Sequence, residues 1–408
     1  MNVSAIIGKA ATITRNLTVE IDASTWPSGR RPSAGLLSLA GHRRINMLEV
    51  LCQVAHCTSP PVSYGFGLSE YWAFLRYLPA LDADRELRLR QEWTDLDSHQ
   101  KTVLSDDMGM GVTASLLRHA LGLATLSPAQ YVVSRASKSQ LALKRSQKRG
   151  PAKSPDFVGY DAAGKICVLE CKGTQTFGNL AKSMLDGVPQ KSNLLVGGGL
   201  VVAESVVGGL FIPQYSSKQP AVCRFIDPEI EEAPGGKAKG GGLWQIFARS
   251  ELAASLHLMG FGLEGNAVAL GGRMDFTALK QRSGELNEIQ EDGHQAMVRT
   301  RTVFYPRVLK TDEGDGVAGM RASIGVSMDL FELLSAGAVE KAIGLAADRA
   351  REDARWISGP VTGGFLMVTP VGMLVKLELL RLESGGGVNT KGGSRLDLGG
   401  FSRKVAVR

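Results

Sequence analysis

Between Phe157 and Val188 the hydrophobic period of the chain changes from two to 3.6 residues. That switch calls for a strand pair followed by a helix. Phe157 to Tyr160 and Ile166 to Leu169 are apolar runs of strand length, and Asp161-Ala162-Ala163-Gly164-Lys165 between them reads as a hairpin turn. From Phe177, the residues Leu180, Ala181, Met184, Leu185 and Val188 recur at helical spacing, with Gly187 and Pro189 as the expected stop. Upstream, Tyr131-Val132-Val133 is expected as a short strand; downstream, Leu200 to Ala203 and Leu210 to Ile212 are expected as buried strands. Helix, strand, hairpin, helix, strand is the order of an α/β unit the length of one small domain.

The 408 residues leave room for more than that unit, at roughly 100–200 residues per domain. Leu17, Val19 and Ile21 alternate as in a strand, and residues 35–100 read mostly as helical around the break at Ser59-Pro60-Pro61. A helix is expected to start at Ser105 as N-cap, carrying Asp106 and Asp107 in its first turn and Met108, Val112, Leu116, Leu117, Ala120 and Leu121 on one face. Acids in a first turn also stabilise the helix dipole with no catalytic role. Beyond the glycine- and lysine-rich stretch 235–242, helical patterns at Leu243 to Met259 and Val339 to Trp356 are expected. They alternate with strand-like Val303 to Leu309, Ala322 to Met328, Phe365 to Val368 and Leu374 to Leu382. The division expected is therefore 1–100, mostly helical; 101–230, an α/β domain; and 231–408, an α+β domain with no site visible in it.

Chemistry concentrates where the hairpin begins and ends. Pro155-Asp156 precedes the first strand, and the second runs directly into Glu170-Cys171-Lys172. Paired strands bring Asp156 and Glu170 to one end of a sheet, and period-two alternation puts Glu170 and Lys172 on one face with Cys171 on the other. Two carboxylates and an ammonium in one site suit phosphodiester hydrolysis. Magnesium favours oxygen ligands and keeps several waters, so one or two carboxylates plus a substrate phosphate suffice. A lysine can orient the attacking water and offset charge on the phosphate.

Pro155-Asp156 followed by Glu170-Cys171-Lys172 resembles the signature of the PD-(D/E)xK nuclease superfamily. The likeness spans about residues 100–215. It implies a restriction-endonuclease-like core, a mixed sheet flanked by helices. It also implies Mg²⁺ (or Mn²⁺) held by Asp156 and Glu170, and Lys172 as catalytic lysine. Many members carry a further acidic ligand on the preceding helix, for which Asp107 or Asp106 is the candidate. Some carry a glutamine or lysine on the following helix, where Lys182, Gln190 and Lys191 are available, and Lys182 is taken as a nucleic-acid contact. A setting in bacterial restriction or anti-phage defence is what the resemblance suggests.

The formal charge of +7 is a weak pointer to polyanions by itself. Its distribution says more: Arg135, Lys138, Lys144, Arg145, Lys148, Arg149 and Lys153 form a run of seven basic residues without an acid, just before Asp156. Lys144, Arg145, Lys148 and Arg149 are the expected phosphate contacts, on DNA rather than RNA. A catalytically inactive nucleic-acid-binding or assembly subunit of the same fold is the alternative expectation, with a homo-oligomer or other subunits as partners.

Other signals carry less. Gly260-Phe261-Gly262-Leu263-Glu264-Gly265 follows a helical pattern instead of a strand, which fails the context of a dinucleotide site. Cys52, His56 and Cys57 lack a second pair at zinc-site spacing and read as buried structural residues. Five irregularly spaced cysteines point to reduced thiols in a cytoplasmic protein. The longest apolar run, Leu194 to Ile212, is broken by five glycines and by Glu204 and Ser205, so no membrane span is expected.

Overall fold

The computed structural model describes residues 3–5, 13–65, 72–144, 153–161, 163–227, 242–272, 274–310 and 316–382. The chain runs through β1 (Val3–Ala5), β2 (Thr14–Ile21), α1 (Ala34–Ser38), β3 (Gly41–Asn46) and α2 (Met47–Cys57). Short 3-10 turns between Ala73 and Asp95 lead to the long α3 (Ser98–Leu121). Next come β4 (Leu123–Pro128), α4 (Ala129–Arg135), β5 (Leu141–Leu143), β6 (Phe157–Asp161), β7 (Ile166–Thr174) and α5 (Phe177–Lys191). β8 (Leu194–Val196), β9 (Val202–Phe211) and β10 (Val222–Ile226) follow. The remainder is α6 (Leu243–Leu258), α7 (Gly262–Leu270), α8 (Thr277–Gln281), β11 (Asn287–Glu291), β12 (His294–Lys310) and β13 (Gly316–Ser327). It ends with α9 (Met328–Ser335), α10 (Val339–Glu352), β14 (Ile357–Val361), β15 (Gly364–Val368) and β16 (Met373–Leu382).

Among the described residues a seven-stranded mixed sheet takes the order β3-β2-β10-β9-β7-β6-β4. β7 pairs parallel to β9 and β10 parallel to β2, and the other neighbours are antiparallel. Helices cover both faces. α5 sets Leu180 and Met184 against Val207, Phe211, Val222 and Ile226 on one. On the other, α3 and α2 bury Met108, Val112, Leu117, Val50 and Val54 with Leu169, Cys171, Val206 and Leu210. A second sheet, antiparallel throughout, takes the order β11-β12-β13-β16-β15-β14, with β1 added to β16. α6, α7, α9 and α10 pack between it and the outer strands β4 and β6 through Phe247, Leu252, Leu330 and Ile343.

The protein is thus mixed α/β, with a helix-flanked mixed sheet and an antiparallel second sheet. Residues before 100 do not form a helical region apart: β2 and β3 complete the first sheet and β1 joins the second. Of residues 71–93, those described form only short 3-10 turns and extended chain, because Asn16 exchanges backbone hydrogen bonds with Arg85 and Leu87. α3 starts eight residues before the expected position, since Asp97 is its N-cap in place of Ser105 and accepts from the N–H groups of His99 (2.8 Å) and Gln100 (3.1 Å). Asp106 and Asp107 therefore lie in its interior, outside the first-turn dipole site. Tyr131-Val132-Val133 is helical, within α4, and Pro128 stands at that helix's N-cap. α5 continues through Pro189 to Lys191. The two expected strands at 200–212 are one, β9, whose Gly208 and Gly209 are contact points for helices. No helix among the described residues is long and apolar enough to cross a membrane, and all five cysteines are free and buried.

Candidate active site

β6 and β7 pair with Phe157 opposite Leu169, so Asp156, just before β6 begins, meets Glu170 midway along β7, which runs on beside β9 to Thr174 instead of ending there. Asp156 is fixed on three sides. Its N–H donates to Glu170 Oε2 (3.1 Å), its carbonyl accepts from Ala129 N–H (3.0 Å), and its Oδ2 accepts from Cys171 N–H (2.7 Å). Glu170 is completely buried, and its Oε1 forms an ion pair with the half-buried Lys172 ammonium. Asp156, Glu170 and Lys172 are thereby one hydrogen-bonded cluster. Glu170 and Lys172 face α5, where a methyl on Gly187 would come within 3.0 Å of Glu170 Cγ and 3.1 Å of Lys172 Cε. Cys171 points the other way, into the core with Cys57.

Burial pushes the Glu170 carboxyl up to about 7, with the Asp156 charge adding to the rise and the bonds to Lys172 and the Asp156 N–H opposing it. Burial raises Asp156 too, against the pull of Cys171 N–H and Lys172. For Lys172, burial disfavours the charged form, but the bond to Glu170 and the charges of Glu170 and Asp156 outweigh it and the pKa rises. Lys172 is therefore an ammonium at neutral pH, a donor and a positive charge and not a base. Two acids held in common against one cation make a site short of positive charge.

The helical acids divide differently from expectation. Asp107 turns toward Tyr77, whose hydroxyl donates to its Oδ2 at 2.5 Å. Burial raises the Asp107 carboxyl, while Tyr77 and Arg76 work against that. Asp106 is the one facing the cluster: burial raises it, Lys172 and a bond from the Gly173 N–H lower it, and Asp156 raises it. This approach depends on glycine. A methyl on Gly173 would fall on the Ser105 carbonyl, and one on Gly109 would lie 2.9 Å from the Lys172 carbonyl oxygen. Gly109 and Gly173 are the only marks the sequence carries of that crossing, and they went unread; nothing in the sequence distinguished Asp106 from its neighbour.

Of the expected nucleic-acid contacts, Lys182 is exposed on α5. Lys144 is half-buried, its backbone tied to Asn193. Arg145, Lys148 and Arg149 lie outside the described residues. Lys191 is fully buried, bonded to the Ser205 carbonyl and to Asp227 (2.5 Å), away from the cluster.

A hard divalent cation suits this donor set in part. Asp156 and Glu170 offer only oxygens, and their shared excess of negative charge is what such an ion would offset. Among the described residues, however, no three or more His, Cys, Asp or Glu side chains come together as a metal-holding group. Asp156 and Glu170 are the two side chains that would hold such an ion. No family model, curated protein or solved structure matches this chain.

Proposed function

We propose that this protein is a metal-dependent nuclease with a restriction-endonuclease-like core, hydrolysing phosphodiester bonds of DNA through Asp156, Glu170 and Lys172. The observation that carries the reading is the single cluster these three make between the start of β6 and the middle of β7, on a helix-flanked mixed sheet. Asp156 and Glu170 would hold Mg²⁺ or Mn²⁺. When bound, the ion offsets negative charge developing on the phosphate and makes water more acidic. Lys172 stays protonated and directs its N–H bonds toward the phosphate oxygens and the attacking water, where a fixed positive charge favours the transition state over the ground state. Cys171 N–H and Ala129 N–H lock the Asp156 carboxylate and backbone, so the geometry is set before substrate arrives. Asp106, beside Lys172 and Asp156, is the helical acid nearest this chemistry, in place of Asp107.

The second reading is a non-catalytic DNA-binding subunit. It draws on the engagement of both Glu170 oxygens by the protein itself. Calorimetric titration with Mn²⁺ separates the two. The nuclease reading expects saturable uptake that disappears in Asp156→Ala and Glu170→Ala. An absence of uptake, together with salt-sensitive DNA binding, favours the binding subunit.

A further inference from the structure

Inward, α5 packs Leu180 and Met184 on the sheet and lays Gly187 against Glu170 and Lys172. Outward, it keeps apolar side chains in solvent. Leu185 is 64% exposed and Phe177 40%, with the small, exposed Ala181 between them at four-residue spacing. Single exposed leucines are ordinary on a protein surface. Three apolar residues on one i, i+4 ridge are a seam on which a second helix can pack.

Beside this ridge stand Lys182 and Asp186, both exposed. Their spacing permits an ion pair within the helix. Among the described residues, however, neither side chain is bonded to the other or to anything else.

The two charges are placed to answer a copy of themselves. Let two α5 helices cross antiparallel about a two-fold axis level with residue 184. Lys182 then comes level with the partner's Asp186, and Asp186 with the partner's Lys182. The like pairs are about 6 Å out of register along the helix, at 1.5 Å per residue. Leu185 lies within about 1.5 Å of the axis level, so the two leucines meet between the ion pairs. A parallel crossing would instead set lysine beside lysine and aspartate beside aspartate, which repel.

We propose that the outer face of α5 is a homodimer interface, with Leu185 of two copies packed across a two-fold axis between reciprocal Lys182–Asp186 ion pairs. One helix pair covers less than the roughly 1,200–2,000 Å² of a standard interface, so the dimer is weak and depends on concentration. It also braces, from outside, the helix whose inner face bounds Glu170 and Lys172.

The test is sedimentation velocity on the 408-residue chain, without nucleic acid, over a range of protein concentration. A reversible monomer–dimer equilibrium is expected, with a dissociation constant that is roughly micromolar. Residues 182, 185 and 186 are exposed, so substitutions there keep the fold. Leu185→Lys, Lys182→Asp and Asp186→Lys should each weaken the dimer by about tenfold or more, because the two-fold axis doubles every change. The double variant Lys182→Asp/Asp186→Lys restores opposite pairs and should return to within a few-fold of wild type. A chain that stays monomeric at about 100 μM overturns the proposal and leaves this face to another partner. A dimer indifferent to all three single changes overturns it as well, since the copies would then meet elsewhere. So does a double variant no tighter than either charge reversal alone.

Discussion

Glu170 is held between an ammonium on one oxygen and a backbone N–H on the other, with a second carboxylate alongside. In the unfolded chain it ionises near 4.5; in the fold, burial and Asp156 move that to about 7. Between those values the native state keeps a proton that the unfolded state has released. The contribution is therefore fully present below pH 4.5 and is lost as pH rises through 7. Its size is on the order of 3 kcal/mol at most. Denaturant melts without metal should show wild-type stability, relative to Glu170→Gln, falling over that interval; a difference that stays flat with pH would refute the assignment. Metal uptake should run the opposite way and strengthen as Glu170 ionises. Much of this was readable, because Asp156, Glu170 and Lys172 owe their meeting to a hairpin fourteen residues deep, whose register follows from local alternation. The partners of Asp106 and Asp107 were not, because Tyr77 reaches Asp107 from a segment thirty positions away.

Glycine sets how closely the helices approach β7. On α5, Gly187→Ala adds a methyl 3.0 Å from Glu170 Cγ and 3.1 Å from Lys172 Cε. Alanine improves helix propensity by about 1 kcal/mol, but the two side chains must shift to admit it. The variant should melt within about 1 kcal/mol of wild type while losing roughly tenfold or more in cleavage rate. Wild-type activity would show that the positions of Glu170 and Lys172 are not critical. Gly173→Ala is the harsher change, since its methyl coincides with the Ser105 carbonyl and forces α3 off β7. A loss of about 1–3 kcal/mol is expected in denaturant melts, and an unchanged midpoint would argue against this crossing. The same feature explains why β9 was misread. Gly208 and Gly209 interrupt the apolar run between the two expected strands, yet they stand where Thr113 presses on one face and Met184 on the other, with Met184 Cγ 2.6 Å from where a Cβ on Gly209 would lie. Pro189 likewise falls in the last turn of α5, too late to stop it.

The whole molecule is assembled by pairings that no local pattern announces. β2 lies parallel to β10 across some two hundred residues, with Leu17 and Val19 buried in the sheet, and β1 pairs with β16 at the other end of the chain. The strand character of 14–21 was legible, but its partner was not, because alternation fixes which face is buried and leaves the neighbour open. A fragment of residues 101–230 should therefore lack a cooperative thermal transition, since it leaves β10 without β2 and the core without α2. A cooperative melt of that fragment would show that the first hundred residues are dispensable to the sheet. The decisive measurement is hydrolysis of DNA by the 408-residue chain under single-turnover conditions with Mg²⁺ or Mn²⁺. The expected result is cleavage that a chelator stops and that Asp156→Ala, Glu170→Ala and Lys172→Ala each reduce by about a hundredfold or more. Cleavage at the wild-type rate in all three variants, or no cleavage by the wild type with either metal, would contradict it.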